Sequence, residues 1–156
     1  MGDERFEITT VWTGNTGSGT SSYTGYERSH EFRAEGRPAL PGSSAPVYQG
    51  DGSRYNPEEL LIASASACHM LWYLHLCAQS GVVVESYEDS ASGELTIYPA
   101  GSGEFAGITL RPRVTIRAGS DQEIAMRLHA EAGGMCFIAR SLRCEVSHEP
   151  TVTIAE

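Results

Sequence analysis

The chain has 156 residues, 20 Asp and Glu against 11 Lys and Arg, a formal net charge of −9, and 40% hydrophobic residues. That size and composition suit one domain, residues 1–156, with its own core, and they exclude a disordered chain. The charge argues against nucleic acid and an anionic membrane surface, both of which would repel the protein, and the longest apolar stretches read as shorter than a membrane span.

Met1-Gly2-Asp3-Glu4-Arg5-Phe6 carries no signal-peptide pattern, and Phe6 stands where a myristoylation site needs Ser or Thr. The expectation is a soluble, cytoplasmic protein. Four cysteines are too few for a disulfide scaffold, so they read as buried thiols, metal ligands or redox groups.

Residues 5–12 alternate and carry β-branched side chains, which predicts a strand. Gly14 to Ser22 is a Gly/Ser/Thr loop, Tyr26 to Ala34 a second strand, and Pro38 to Gly52 an irregular surface excursion. A helix is predicted from about Pro57 to Ser80. Asn56 caps it, Pro57 fits its first position, Glu58 and Glu59 favour the positive end of its dipole, and Gly81 stops it. Its middle is apolar nearly all round, which predicts burial on most faces.

Val82 to Ile97 and Glu104 to Arg117 read as two long strands of a hairpin turning near Pro99 to Gly103. Thr109, Arg111, Arg113, Thr115 and Arg117 alternate with apolar neighbours, as in a sheet with one wet face. Asp121 caps a second helix to about Ala132, where Gly133-Gly134 is expected to break it. Cys136 to Arg143 forms a short helix, and Glu145 to Ile154 a closing strand. No internal repeat is visible, and the fold class is α+β.

Cys68 and Cys77 lie nine residues apart on one helix, on opposite faces and about 13 Å apart along the axis, too far to bond. Cys136 and Cys144 are also too distant if the chain between them is helical. Any disulfide therefore joins the two regions, with Cys68 and Cys136 the natural candidates. Cys77 reads as core, Cys144 as buried or idle, and Cys68 remains open to an inert, packed reading. Glu58 precedes Cys68 by ten residues, about 15 Å along a straight helix. Cooperation between them would need a second copy of the chain or a bent helix. The small residues Ala63 to Ala67 would let another backbone come close.

Asn56-Pro57-Glu58-Glu59-Leu60-Leu61, followed by Ala67-Cys68, resembles the OsmC/Ohr family, the osmotically inducible and organic hydroperoxide resistance proteins. The Cys136 region and the order of elements extend the resemblance over nearly the whole chain. The family usually has Cys-Pro at the second cysteine; here Phe137 follows Cys136, which marks a divergent subgroup. The resemblance implies an OsmC-like fold, antiparallel sheets around two central helices, and an intertwined homodimer with two active sites at the subunit interface. It implies a peroxidase for organic hydroperoxides in oxidative-stress defence. Cys68 would be the peroxidatic cysteine and Cys136 the resolving one, with a dithiol reductant, lipoyl-type or other, restoring both. It implies a glutamate, Glu58, paired with an arginine that stabilises the thiolate. Arg28 is the first choice, Arg54 the second, and Arg33 and Arg37 remain.

Cys68, His69 and His75 do not have zinc-ligand spacing, and neither a metal nor a cofactor is expected. His75 and Trp72 are expected to line the pocket or the core. The glycine-rich loop lacks the lysine and helix of a phosphate cradle. Met70, Trp72, Tyr73 and Phe137 are expected near an apolar pocket suited to an alkyl peroxide tail. The alternative is a dimeric binding protein for a small apolar ligand, with Cys68 inert.

Overall fold

In the computed structural model, which describes residues 2–156, the chain falls into two compact units that meet in sequence between Leu60 and Leu61. The first holds an antiparallel sheet of β1 (Thr9–Trp12), β2 (His30–Arg33) and β3 (Leu40–Gly42), in that order. Strand β1 is shorter than the alternation of residues 5–12 predicts, because only its second half finds a ladder partner. The Gly/Ser/Thr loop folds back so that the Trp12 indole donates to the Glu27 carbonyl at 2.8 Å. Gly14 lies against that carbonyl, where a Cβ would be only 1.9 Å from the oxygen, so a side chain there is excluded.

Helix α1 (Pro57–Gln79) starts and stops where its caps predict. Asn56 accepts from the Glu59 amide at 2.9 Å and the Glu59 carboxylate takes the Asn56 amide at 3.3 Å, a reciprocal capping box. Gly81 ends it at φ +73, a left-handed geometry that glycine reaches without steric cost. The expectation of burial on most faces does not hold within this chain. Only Ala65, His69, Tyr73 and Cys77 are buried, one stripe at four-residue spacing, while Leu71 is 63% exposed. The helix is also long and apolar enough, by length and composition, to cross a membrane, which corrects the reading of the apolar stretches as too short.

The rest of the second unit holds β4 (Val84–Asp89), β5 (Ser92–Ile97), β6 (Gly103–Leu110), β7 (Pro112–Ile116), α2 (Gln122–Met135), α3 (Phe137–Ser141), β8 (Glu145–His148) and β9 (Thr151–Ile154). The three long predicted strands are each broken into two. The breaks fall at Ser90-Ala91, Arg111 and Glu149-Pro150, opposite one another, so one three-leg ladder bends into two sheets, β4-β7-β9 and β5-β6-β8. β4–β7 and β5–β6 pair antiparallel, whereas β6–β8 and β7–β9 pair parallel. The sheets are therefore mixed, not the antiparallel ones expected.

Asp89 stabilises the bend. Its carboxylate accepts from the Arg111 amide at 2.6 Å, a donor the corner takes out of the ladder, and from the Ser66 hydroxyl of α1 at 2.5 Å. The core of this unit packs Tyr73 and Cys77 of α1 against Ala125, Leu128 and Ala132 of α2 and against Val114, Ile116 and Val152 of the sheet. Asp121 caps α2 by accepting the Ile124 amide at 3.0 Å. The helix runs through Gly133-Gly134 instead of breaking there.

Candidate functional site

Cys68 sits on α1 one residue before the buried stripe, so it is half-buried at the border between packed and open faces. It opens into a cavity of about 500 Å³. Ser64, Ala67, Leu71, Trp72 and His75 of α1 line it with Phe137 and Ile138 of α3. Apart from the thiol, a serine and an imidazole, the walls are apolar. Trp72 meets Phe137 edge to face at 5.6 Å and His75 at 5.7 Å, which sets three rings side by side. Trp72 and Phe137 thus lie where the sequence places them. Tyr73 does not: it is fully buried in the core on the opposite side of α1, and Met70 is not on the wall.

Cys136 is the residue between α2 and α3, and its side chain caps α3 by accepting the Ala139 amide at 3.4 Å. Its sulfur faces the Ala65 carbonyl at 3.9 Å. It is 1% exposed, and burial pushes its pKa up; the adjoining Cys68 thiol adds to the rise, and the Ala139 amide partly opposes it. Cys68, within α1, and Cys136, at the junction of α2 and α3, therefore lie side by side. Cys77 is buried in the core, where burial raises its pKa as well. Cys144 is half-buried just before β8.

The charged candidates lie in the first unit. Glu58 is in the first turn of α1, half-buried, and among the described residues it makes no ion pair. Arg28 donates to the carbonyls of Tyr26 and Tyr23, both at 2.7 Å, and its guanidinium lies over their rings at 4.0 and 4.6 Å. Arg54 reaches Asp51 at 3.4 Å. Both arginines line one polar cleft of about 400 Å³. Arg33 pairs with Glu31 on the strand surface, and Arg37 sits in the turn after β2.

Behind Cys68 lies a feature that the sequence reading missed. His69 Nε2 and His129 Nδ1 are 3.1 Å apart, both residues are 1% exposed, and Tyr73 stacks on His129 at 3.8 Å. His148 of β8 packs its ring 5.0 Å from that of His69. Burial lowers His69 to about 4, with His148 adding to the shift and Asp89 opposing it. Burial likewise lowers His129 to about 3, with His69 and His148 adding. The signal was present: His69 falls in the stripe Ala65/Tyr73/Cys77, and His129 in a stripe with Ala125, Ala132 and Cys136.

Residues 50–151 match the model of the OsmC-like protein family, and the chain belongs to that family. An uncharacterized protein of Bacillus subtilis, YmaD, is 23% identical over 150 residues, 94% of this chain and 91% of that protein. An OsmC-like protein of unknown function from Vibrio cholerae superposes with a TM-score of 0.87 at 27% identity, covering 96% of this chain and all of that one. An organic hydroperoxide resistance protein from Elizabethkingia anophelis superposes with a TM-score of 0.67 at 17% identity, over 97% and 99% of the two chains. The fold is OsmC-like, mixed α and β, as the resemblance implied.

Proposed function

We propose that this protein is a cysteine-based peroxidase that reduces organic hydroperoxides in oxidative-stress defence. The observation that carries the reading is Cys68 on the wall of an apolar cavity with the buried Cys136 thiol beside it. The Cys68 thiolate attacks the terminal oxygen of the hydroperoxide. The O–O bond breaks, Cys68 becomes a sulfenic acid, and the alkoxide takes a proton and leaves as the alcohol. Cys136, which burial favours as a neutral thiol, then passes its proton to the departing hydroxyl of the sulfenic acid as its sulfur attacks the Cys68 sulfur; the S–O bond breaks, a disulfide forms and water leaves. A dithiol reductant restores both thiols by exchange and is itself oxidised to a disulfide.

Membership of the OsmC-like family and the shared fold of a protein named for organic hydroperoxide resistance support a peroxide-related role. The chain acts as one OsmC-like domain in a cytoplasmic homodimer. Leu71 on the open face of α1 is 63% exposed and Phe137 of α3 67%, an apolar surface that a second copy would cover. That copy supplies Glu58 and an arginine, Arg28 first, to hold the thiolate and orient the peroxide. The reading is tested by turnover of a bulky alkyl hydroperoxide with a dithiol reductant. Wild type turns over, and Cys68→Ser loses all measurable turnover; equal rates for the two would overturn it.

A second reading is favoured by one observation. Arg28 is held by two carbonyls and two aromatic rings of its own unit. If it stays so, the cavity is a binding site for a small apolar ligand, and Cys68 does not react with a thiol reagent near neutral pH.

A further inference from the structure

We propose that the buried imidazoles of His69 and His129 and the half-buried one of His148 are positioning residues, which lock α1 against α2 and so hold the Cys136 sulfur opposite Cys68. The inference rests on the reading that these two thiols are the working pair. His69 is the residue after Cys68, turned into the core. His129 lies seven residues before Cys136, two turns away on the same inward face of α2. Cys68 therefore lies on, and Cys136 just past the C-terminal end of, a helix whose packed face also presents one imidazole of a hydrogen-bonded pair.

The other buried residues of these faces, Ala65, Tyr73 and Cys77 on α1 and Ala125, Leu128 and Ala132 on α2, pack without a side-chain hydrogen bond to one another across the two helices. A 3.1 Å hydrogen bond does set register. A slide of one helix by one residue, about 1.5 Å, would break it and leave two buried imidazole nitrogens unpaired. His148 adds a wedge. Its Nε2 occupies the space over Gly133, where a Cβ would come within 2.3 Å, and Gly133 lies between His129 and Cys136 on α2. The glycine in mid-helix is thus the socket for the third ring.

The groups facing the cluster leave the imidazoles to one another. Asp89 of β4 is engaged by Ser66 and the Arg111 amide, and Tyr73 stacks on His129. His129 Nε2 is buried without a hydrogen-bond partner among the described residues. Among those residues, no three His, Cys, Asp or Glu side chains converge as a metal site.

The test is the thiol–disulfide equilibrium of the full chain with dithiothreitol. The protein dithiol gives up two electrons and two protons to oxidised dithiothreitol and closes its own bond, with no peroxide involved. His69→Leu and His129→Leu are expected to lower the constant for Cys68–Cys136 closure about tenfold or more, because the thiols lose their preset geometry. His69→Gln and His129→Asn each keep a polar atom near the lost nitrogen and are expected to stay within about threefold of wild type. Folding is checked by protection of Cys77 from a thiol reagent. Should a leucine variant fail to fold, His148→Ala, on a half-buried side chain, decides by the same tenfold criterion. Unchanged constants in folded variants overturn the positioning role alone. A wild type that closes the bond with dithiothreitol but never with a hydroperoxide overturns the peroxidase reading alone. A wild type that never closes the bond overturns both.

Discussion

At the scale of single residues, the two thiols differ in surroundings in the way their proposed tasks require. Cys68 faces the cavity, whereas Cys136 is buried and kept neutral by that burial. Trp72 and Phe137 form the apolar wall. Phe137→Ala is expected to raise KM for a bulky alkyl hydroperoxide about tenfold with little change in kcat, since it removes binding that ground state and transition state share. A fall in kcat at unchanged KM would contradict that role. The buried histidines predict acid sensitivity. Their native pKa values lie below the unfolded value, so the unfolded chain binds more protons as pH falls through about 6.5. Their contribution is fully present above that value and is lost on the way down to about 4 for His69 and about 3 for His129. Each group contributes about 1.4 kcal/mol per pH unit within its window. Urea midpoints are therefore expected to drop between pH 7.5 and pH 5, and equal midpoints would contradict the burial of neutral imidazoles.

At the scale of elements, the caps made α1 legible. Asn56, Pro57 and Gly81 are local signals, and the helix spans Pro57–Gln79 as they predict. Asn56→Ala is expected to cost about 1 kcal/mol in chemical denaturation, through loss of the capping box. The strand breaks were not legible, because Ser90-Ala91, Arg111 and Glu149-Pro150 act together across three legs of a ladder, and no window of sequence contains all of them. Gly133-Gly134 misled for the same reason. Locally it is a helix breaker; in the folded unit Gly133 is required by the His148 ring. An exposed helical Gly→Ala change gains about 1 kcal/mol, yet Gly133→Ala is expected to destabilise, since its Cβ would strike that imidazole. A higher melting temperature for this variant would count against the packing described.

At the scale of the whole molecule, the helix-start motif with Cys68 was specific enough to imply the family, and the family model bears it out. The helical stripes mark His69 and His129 as inward-facing, but that they meet was not legible, because His69 lies 60 residues from His129 and 79 from His148 and joins them only through packing. The arginine is no more legible: Arg28 and Arg54 share one cleft, and the assignment to the site rests on a second copy. Leu71→Glu, a charge on the open face of α1, is expected to convert a dimer to a monomer in sedimentation, and a dimer that survives it would place the interface elsewhere.

The most direct measurement is the fate of the thiols after one equivalent of an alkyl hydroperoxide, with peptide mapping of wild type and Cys136→Ser. The account predicts a rapid Cys68–Cys136 disulfide in wild type and a sulfenic acid trapped at Cys68 in the variant. Unchanged thiols in fully folded wild-type protein would contradict it.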